Sequence, residues 1–231
     1  MKLKLPRAKK RLEFICDEVC ELASDDDVIT DVGTDHGYLP IMLSEKIKSK
    51  LIATDISKSS LEKAIVLSKE HNTEVDCRVG DGLKIAPETT IASICGIGGT
   101  EIAKILSDVD YHGKAVLQPV PTDKDLRQFL LDNNYHIKKD YVIFNENKFY
   151  FIFVLDGKDC KNRYLQKDKF FGKTNLKNMS EDFILYLKSE VNRLKFLENF
   201  DITKMSEKSK EELKEKFKYY NLAKNILKKG K

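Results

Sequence analysis

Short apolar runs at 28–32, 51–56 and 75–79 end in Gly33-Thr34-Asp35-His36-Gly37, in Asp55-Ile56 and in Gly80-Asp81-Gly82. Between them, residues 38–47 carry apolar side chains at helical spacing, and Ser57 is placed to cap a helix running through Leu61, Ile65 and Leu67 to about His71. This alternation limits the fold more than any other feature, because parallel strands need crossover connections and the crossover helices cover both faces of the sheet. An open α/β sheet binds its ligands beyond the C-terminal ends of its strands. Three strand ends that each carry a glycine or a carboxylate therefore predict one shared crevice.

The rest of the chain extends the pattern. Leu12, Ile15, Val19 and Leu22 predict an amphipathic helix over 7–23. Residues 91–95 predict a strand that ends in the turn Gly96-Ile97-Gly98-Gly99, followed by a helix over 101–106. A strand at 115–117 is stopped by Gln118-Pro119, and a helix covers 123–131. Aromatic and β-branched runs at 141–144 and 149–155 around Asn145-Glu146-Asn147-Lys148 predict an antiparallel final hairpin, with the sheet ending near Asp156. Residues 157–178 are polar and predict an irregular connection. Ile184, Leu187, Val191 and Leu194, then Leu213, Phe217 and Tyr220, form two short helical seams. They suit an antiparallel coiled-coil hairpin turning near 201–206, or equally two helices that pack back on the first domain. The expected division is a catalytic domain at 1–156 and a linker with helical tail at 157–231.

The net charge of +4 hides an uneven distribution. Residues 1–11 have a balance of +6, residues 12–156 of −11 and residues 157–231 of +9. Basic ends around an acidic middle suit a polyanion, which they attract by Coulomb steering and counterion release; Lys-rich helix surfaces that are merely well solvated have the same composition. The five cysteines, at 16, 20, 77, 95 and 160, form no CxxC pair, which predicts no zinc or disulfide framework and a reducing, cytoplasmic setting. Cys16 and Cys20 share a helix face, where burial as small apolar groups outweighs a metal pair. No apolar run approaches the roughly 20 residues of a membrane span.

The carboxylates select the ligand. Asp55 is placed to accept both hydroxyls of a ribose, and Asp81 to accept from an adenine amino group. Asp31, two positions before Gly33, would repel a pyrophosphate and attract a cation. Gly33 and Gly37 also depart from the GxGxxG spacing, so a nicotinamide dinucleotide is disfavoured.

Arg11-Leu12, the run from Asp31 to Pro40 (Asp-Val-Gly-Thr-Asp-His-Gly-Tyr-Leu-Pro), Gly80-Asp81-Gly82-Leu83, Gly96-Ile97-Gly98-Gly99, Leu117-Gln118-Pro119, Arg127 and the basic tail together resemble the bacterial tRNA methyltransferases that modify N1 of adenine 22. That family more often has Ser at 34, Ala at 37, Met at 97 and Glu at 55. The resemblance implies a Rossmann-like domain, S-adenosyl-L-methionine as donor, a coiled-coil tail that helps bind tRNA, and a monomer without metal. It implies cofactor contacts from Arg11, Asp31, Gly33, Thr34, Asp35, His36, Gly37, Asp55, Ile56, Gly80, Asp81 and Gly82. Gly96, Ile97, Gly98 and Gln118 form the expected catalytic platform, and Arg7, Lys9, Lys10, Tyr38, Arg127, Lys173 and Lys177 the expected RNA contacts. Other readings are a methyltransferase for a different RNA or a small molecule, and an RNA-binding protein whose catalytic domain has decayed.

Overall fold

Strands β1 (Val28–Val32), β2 (Lys50–Asp55), β3 (Asp76–Val79), β4 (Ile91–Gly98), β5 (Lys114–Val120), β6 (Ile137–Asn145) and β7 (Lys148–Asp156) form one sheet in the order β3-β2-β1-β4-β5-β7-β6. The computed structural model describes residues 9–158, 164–199 and 207–229. The chain divides into two compact units, residues 1–163 and 164–231. The first five strands run parallel, and β7 runs antiparallel to both β5 and β6. The β6–β7 turn at Glu146 and Asn147 has positive φ at both residues, 49° and 60°, the twist that a two-residue hairpin requires.

Helices α1 (Lys9–Leu22), α2 (Tyr38–Ser44), α3 (Lys58–Glu70), α4 (Gly99–Asp108) and α5 (Lys124–Asp132) supply the crossovers and the covering layers. On α1, Ile15, Cys16 and Val19 are fully buried in a cluster with Leu43 of α2, Ile91 of β4 and Ile152 of β7. Cys16 and Cys20 thus belong to packing, with Cys20 against the edge of the same cluster. Ion pairs fix the helix at its polar side: Lys139 of β6 meets Glu18 at 3.0 Å and Glu21 at 2.5 Å, and Lys46 meets Asp17 at 2.6 Å.

Strands β4, β5 and β6 run further than their sequences predict, β6 starting at Ile137 and not at 141. β4 continues through Gly96-Ile97-Gly98 by a bulge between Cys95 and Ile97, at which Gly96 takes φ +81°. β5 continues through Gln118-Pro119 to Val120. Proline is tolerated there because the pairing of β5 with β7 ends at Leu117–Phe153, so no partner on that side is left without its bond.

In the second unit, the segment expected to be irregular contains α6 (Gln166–Phe171) and α7 (Lys173–Asn178), separated by Gly172 at φ +81°. Buried Phe171, which packs on Phe183 and Tyr219, gives these short helices the apolar anchor that their polar composition conceals. They are followed by α8 (Glu181–Arg193), a 3-10 turn at Lys195–Asn199 and α9 (Glu207–Lys229). Leu194 and Leu197 pack with Leu213 and Tyr220, and the Tyr186 and Tyr219 hydroxyls are 2.9 Å apart. The expected turn at 201–206 lies outside the described residues. Among the described residues no helix is long and apolar enough to cross a membrane.

Arg127 corrects an expectation. It is 5% exposed, donates to Asp123 at 2.9 Å and to Asp140 at 2.7 Å, and lies 4.7 Å from the Phe153 ring centroid. A guanidinium so enclosed has no access to RNA; it ties α5 to β6. Arg127→Ala strands two carboxylates that have little access to water, and is expected to lower the unfolding free energy by about 3–5 kcal/mol in urea titration. An unchanged midpoint would mean that the pair contributes nothing.

Candidate active site

The parallel register sets the strand ends level. Val32 lies beside Thr54 and Ile94, and Asp55 lies beside Val79, so the loops after β1, β2, β3 and β4 open on one edge. Gly33 and Thr34 donate their backbone N–H groups to the Thr54 carbonyl at 2.8 and 3.1 Å, which folds the first loop over the end of β2. Asp55 then locks it, accepting from the Asp35 N–H at 3.1 Å and from the Ser57 N–H at 2.8 Å. Each of its oxygens keeps a lone pair for a further donor. Ile56 beside it is 80% exposed, an apolar side chain with no covering in the protein, as the face of an adenine ring would require.

The two loop glycines do different work. A Cβ on Gly33 would meet only Ile97 Cγ2, at 3.9 Å, so the space over β1 is open to a ligand. A Cβ on Gly37 would lie 2.8 Å from that of Ala64, and its φ is +74°. Gly37 therefore allows α2 to start hard against α3. His36 donates from Nδ1 to the Asp35 carboxylate, 2.7 Å away, and stacks on Tyr38 with ring centroids 5.8 Å apart. This pair borders a cleft of about 490 Å³ that is lined on its other side by α3 residues Glu62, Lys63 and Val66.

Asp31 is 7% exposed and aligned with Ser93 of β4. Burial pushes its carboxyl up to about 6, while the Thr34 and Ser93 hydroxyls and Arg11 pull the other way and Asp55 adds to the rise. An enclosed carboxylate beside a second one is short of positive charge. The crevice thus offers a buried anion, an open backbone approach, a carboxylate at ribose position and an exposed apolar face, and S-adenosyl-L-methionine fits that set. Gly80 and Gly82 have φ of +154° and +53°, and they frame Asp81 ahead of a 3-10 turn at Gly82–Ile85. The Asp81 carboxylate, expected to accept from adenine, here accepts from Lys84 at 2.6 Å; Lys84 also reaches Asp108 at 2.7 Å.

Beyond β4 the character changes. Gly96, Ile97 and Gly98, expected as a free turn, are strand residues, with Ile97 and Gly98 paired to Pro119 and Val120. Gln118 is fully buried, its Oε1 taken by Arg11 Nη1 and its Nε2 donating to the Pro119 carbonyl at 2.7 Å. It cannot meet a substrate, which corrects the expectation that it lies on the catalytic platform; it holds Arg11. The Arg11 guanidinium lies 5.4 Å from the Tyr150 ring centroid, and its Nη1 is 3.5 Å from where a Gly96 Cβ would stand. Its Nε is buried without a hydrogen-bond partner. Tyr150 and Lys84 are absent from the sequence motifs: each contact is made across the fold. Of the expected RNA contacts, Lys10 donates to the Phe144 carbonyl at 3.1 Å, Lys9 begins α1, and Arg7 lies outside the described residues. Lys173 and Lys177 are exposed on α7, with the Lys173 ammonium 4.2 Å from the Tyr164 ring centroid. Among the described residues no three His, Cys, Asp or Glu side chains are grouped to hold a metal ion.

Asp55→Ala removes the acceptor for two ribose hydroxyls, and hydrogen bonds to a charged group contribute about 1.5–3 kcal/mol each. Calorimetry is expected to show cofactor affinity reduced at least about 100-fold, with the melting temperature within a few degrees of wild type. Unchanged affinity would remove Asp55 from the cofactor site.

The comparisons with known proteins agree with this geometry. The family model described as tRNA (adenine(22)-N(1))-methyltransferase matches residues 29–222. The tRNA (adenine(22)-N(1))-methyltransferase of Bacillus subtilis is 27% identical over 168 residues, which cover 68% of each chain. A Streptococcus agalactiae protein of the NADB-Rossmann superfamily superposes with a TM-score of 0.79 at 29% identity, covering 98% of this chain and 99% of that one. A Streptococcus pneumoniae structure solved in complex with S-adenosyl-L-methionine gives a TM-score of 0.76 at 26% identity, covering 94% and 98%. The chain described here belongs to the tRNA (adenine(22)-N(1))-methyltransferase family.

Proposed function

We propose that the two halves of the crevice divide the family's reaction between them, the carboxylates after β1, β2 and β3 holding the donor and the backbone at 96–98 with Arg11 presenting the acceptor. The observation that carries this reading is the buried Asp31 beside the open Gly33: an anion with a raised pKa and clear space above it. When bound, S-adenosyl-L-methionine supplies an electrophilic methyl group on a sulfonium. Adenine N1 has a free lone pair and no proton to lose, so the residues around it need no general base. Their task is placement, which can supply about 7–11 kcal/mol of the barrier. Asp31 faces the donor's ammonium, and Asp55 its ribose. Asp81 reaches the adenine of the donor once Lys84 turns from it to Asp108 alone. Gly96 and Gly98, without side chains, let a base approach the end of β4.

The acceptor comes from tRNA. Because N1 is paired in a duplex, the target base must leave its stack, at a cost of a few kcal/mol. Lys10 at the start of α1 in the first unit, and in the second unit Lys173 and Lys177 on α7, supply phosphate contacts; α8 and α9 form a helical hairpin within that second unit. A monomer working in the cytoplasm accords with these roles.

The assay is direct: purified protein, labelled S-adenosyl-L-methionine and tRNA, followed by nucleoside analysis. Label is expected in 1-methyladenosine and lost when the tRNA carries guanine at position 22; label elsewhere would redirect the substrate assignment. The pH dependence follows from Asp31. Its raised pKa means that the free protein keeps this carboxyl neutral to a higher pH than an ordinary aspartate. Cofactor affinity is therefore full above about pH 7 and falls by about tenfold between pH 7 and pH 5, as the carboxylate takes a proton that a bound cation would displace. Asp31→Asn is expected to bind weakly with a flat profile. A wild-type affinity unchanged across that window would separate Asp31 from the cofactor.

A further inference from the structure

Lys84 is bonded to two carboxylates at once, and one of them belongs to the donor half of the crevice. Its Nζ lies 2.6 Å from Asp81 and 2.7 Å from Asp108, and all three side chains are partly exposed. Asp81 stands next to the ribose carboxylate: the Gly80 N–H donates to the Asp55 carbonyl at 3.0 Å, which fixes the end of β3 against the end of β2. The backbone that follows is fixed as well. A Cβ on Gly82 would lie 3.3 Å from Ile105 of α4 and 3.4 Å from Val32 of β1, and Leu83 is buried. The exposed side chains of Asp81 and Lys84 are what can still move here.

The second partner sets the direction of the pair. Helix α4 begins with Gly99 at the end of β4 and finishes with Asp108, a length of about 15 Å at 1.5 Å per residue. Asp108 is therefore at the end of α4 remote from the crevice. An ammonium bonded to it draws the Asp81 carboxylate toward α4 and away from the strand ends, beyond which the donor's adenine lies in the reading above. The Lys84 ammonium has three N–H donors, so it can leave Asp81 and still keep Asp108. The exchange breaks one ion pair and not two.

We infer that Lys84 is a latch on the donor site: its ammonium competes with the donor's adenine for the Asp81 carboxylate, and Asp108 holds it when Asp81 turns to the base. The inference rests on the reading of Asp81 as the adenine acceptor. The latch makes binding depend on the amino group of the base. A purine that brings this donor to Asp81 replaces the bond that Lys84 loses, whereas a purine without it leaves the latch closed. Exposed ion pairs of this kind change an equilibrium by about two- to fivefold.

The experiment is calorimetry on the full chain with two ligands, S-adenosyl-L-homocysteine and its analogue whose purine lacks the 6-amino group. Asp81→Ala tests the underlying reading by itself, and is expected to weaken the adenosyl ligand about 5- to 50-fold. Unchanged affinity in that variant overturns the reading and the latch together. Given the fall, Lys84→Met is expected to bind the adenosyl ligand about two- to fivefold more tightly than wild type. Asp108→Asn, which removes the charge that receives Lys84, is expected to bind it more weakly by a similar factor. The analogue is expected to show neither change, and Lys84→Met to have no effect in the Asp81→Ala background. Lys84→Ala takes the place of Lys84→Met should that variant not fold. A Lys84 variant that binds no more tightly than wild type, or Asp108→Asn binding as well as wild type, overturns the latch alone. An equal gain for both ligands also overturns it, since Lys84 would then act by its charge on the whole crevice and not through Asp81.

Discussion

Val32 pairs with Thr54 on one side and with Ile94 on the other, and this parallel register is the constraint on which the site depends. It sets the first loop beside the end of β2, where the Thr54 carbonyl receives the Gly33 and Thr34 N–H groups and Asp55 receives that of Asp35. A register shifted by one residue would turn Asp31 and Asp55 to opposite faces of the sheet. The buried anion, the open glycine and the ribose acceptor would then never share a crevice. The core holds the register in turn: Ile29 and Ile91 are buried in the cluster with α1 and α2, and Ile52 and Ile94 are fully buried on the other face, so a slip would exchange side chains fitted to two different packings.

Much of this was legible in local pattern. Strand β1 and its glycine loop follow from a continuous apolar run meeting Gly33, and the helical cap at Ser57 follows from its position after β2; the structure has the Ser60 N–H donating to that hydroxyl at 3.3 Å. What escaped local reading depends on partners distant in sequence. β4 passes through Gly96 because β5 offers Pro119 and Val120 as partners, and neither run predicts the other. The two short helices at 166–178 escaped because their few apolar residues are buried by α8 and α9, elements that lie further along the chain. Arg127 looks like a free cation in sequence; only the fold brings Asp140 to it, from a strand beyond the end of its own helix. Gln118 was misplaced for the same reason. Its neighbours in sequence are at the ligand edge, but its side chain is turned inward to Arg11, which is 107 residues away.

The charge distribution also acquires a physical sense. Many acids of the middle region are paired with bases within it, as with Glu18 and Lys139, Asp76 and Arg78, or Asp108 and Lys84. At the surface such pairs contribute little to stability. Their consequence is electrostatic: many of the bases of this region are taken up by such pairs, while Asp31 and Asp55 stay without a basic side chain bonded to them. A cation entering the crevice therefore meets uncompensated negative charge there, within a region whose balance is −11. In the proposed division of the site, phosphates are drawn instead to Lys10 of α1 and to the exposed Lys173 and Lys177 of α7. On that proposal, donor and RNA are steered to separate places by the same chain.

That separation bears on what happens after transfer. The donor enters with positive charge at both its ammonium and its sulfur, whereas the demethylated product keeps only the first. Carboxylates in a partly desolvated crevice hold the doubly cationic form more tightly, since Coulomb attraction there is several times stronger than in water. In the proposed donor site, Asp31 and Asp55 thus favour donor over product without touching the sulfur. On the proposed acceptor side the change has the opposite sign: a base presented beside Arg11 gains positive charge, which disfavours its staying. Arg11 is held by a neutral amide and not by a carboxylate, so its charge is not cancelled by the group that fixes it. An aspartate or glutamate in place of Gln118 would orient the guanidinium equally well and remove that repulsion. In the proposed site the neutral amide positions Arg11 and still leaves its charge to oppose retention of the methylated base.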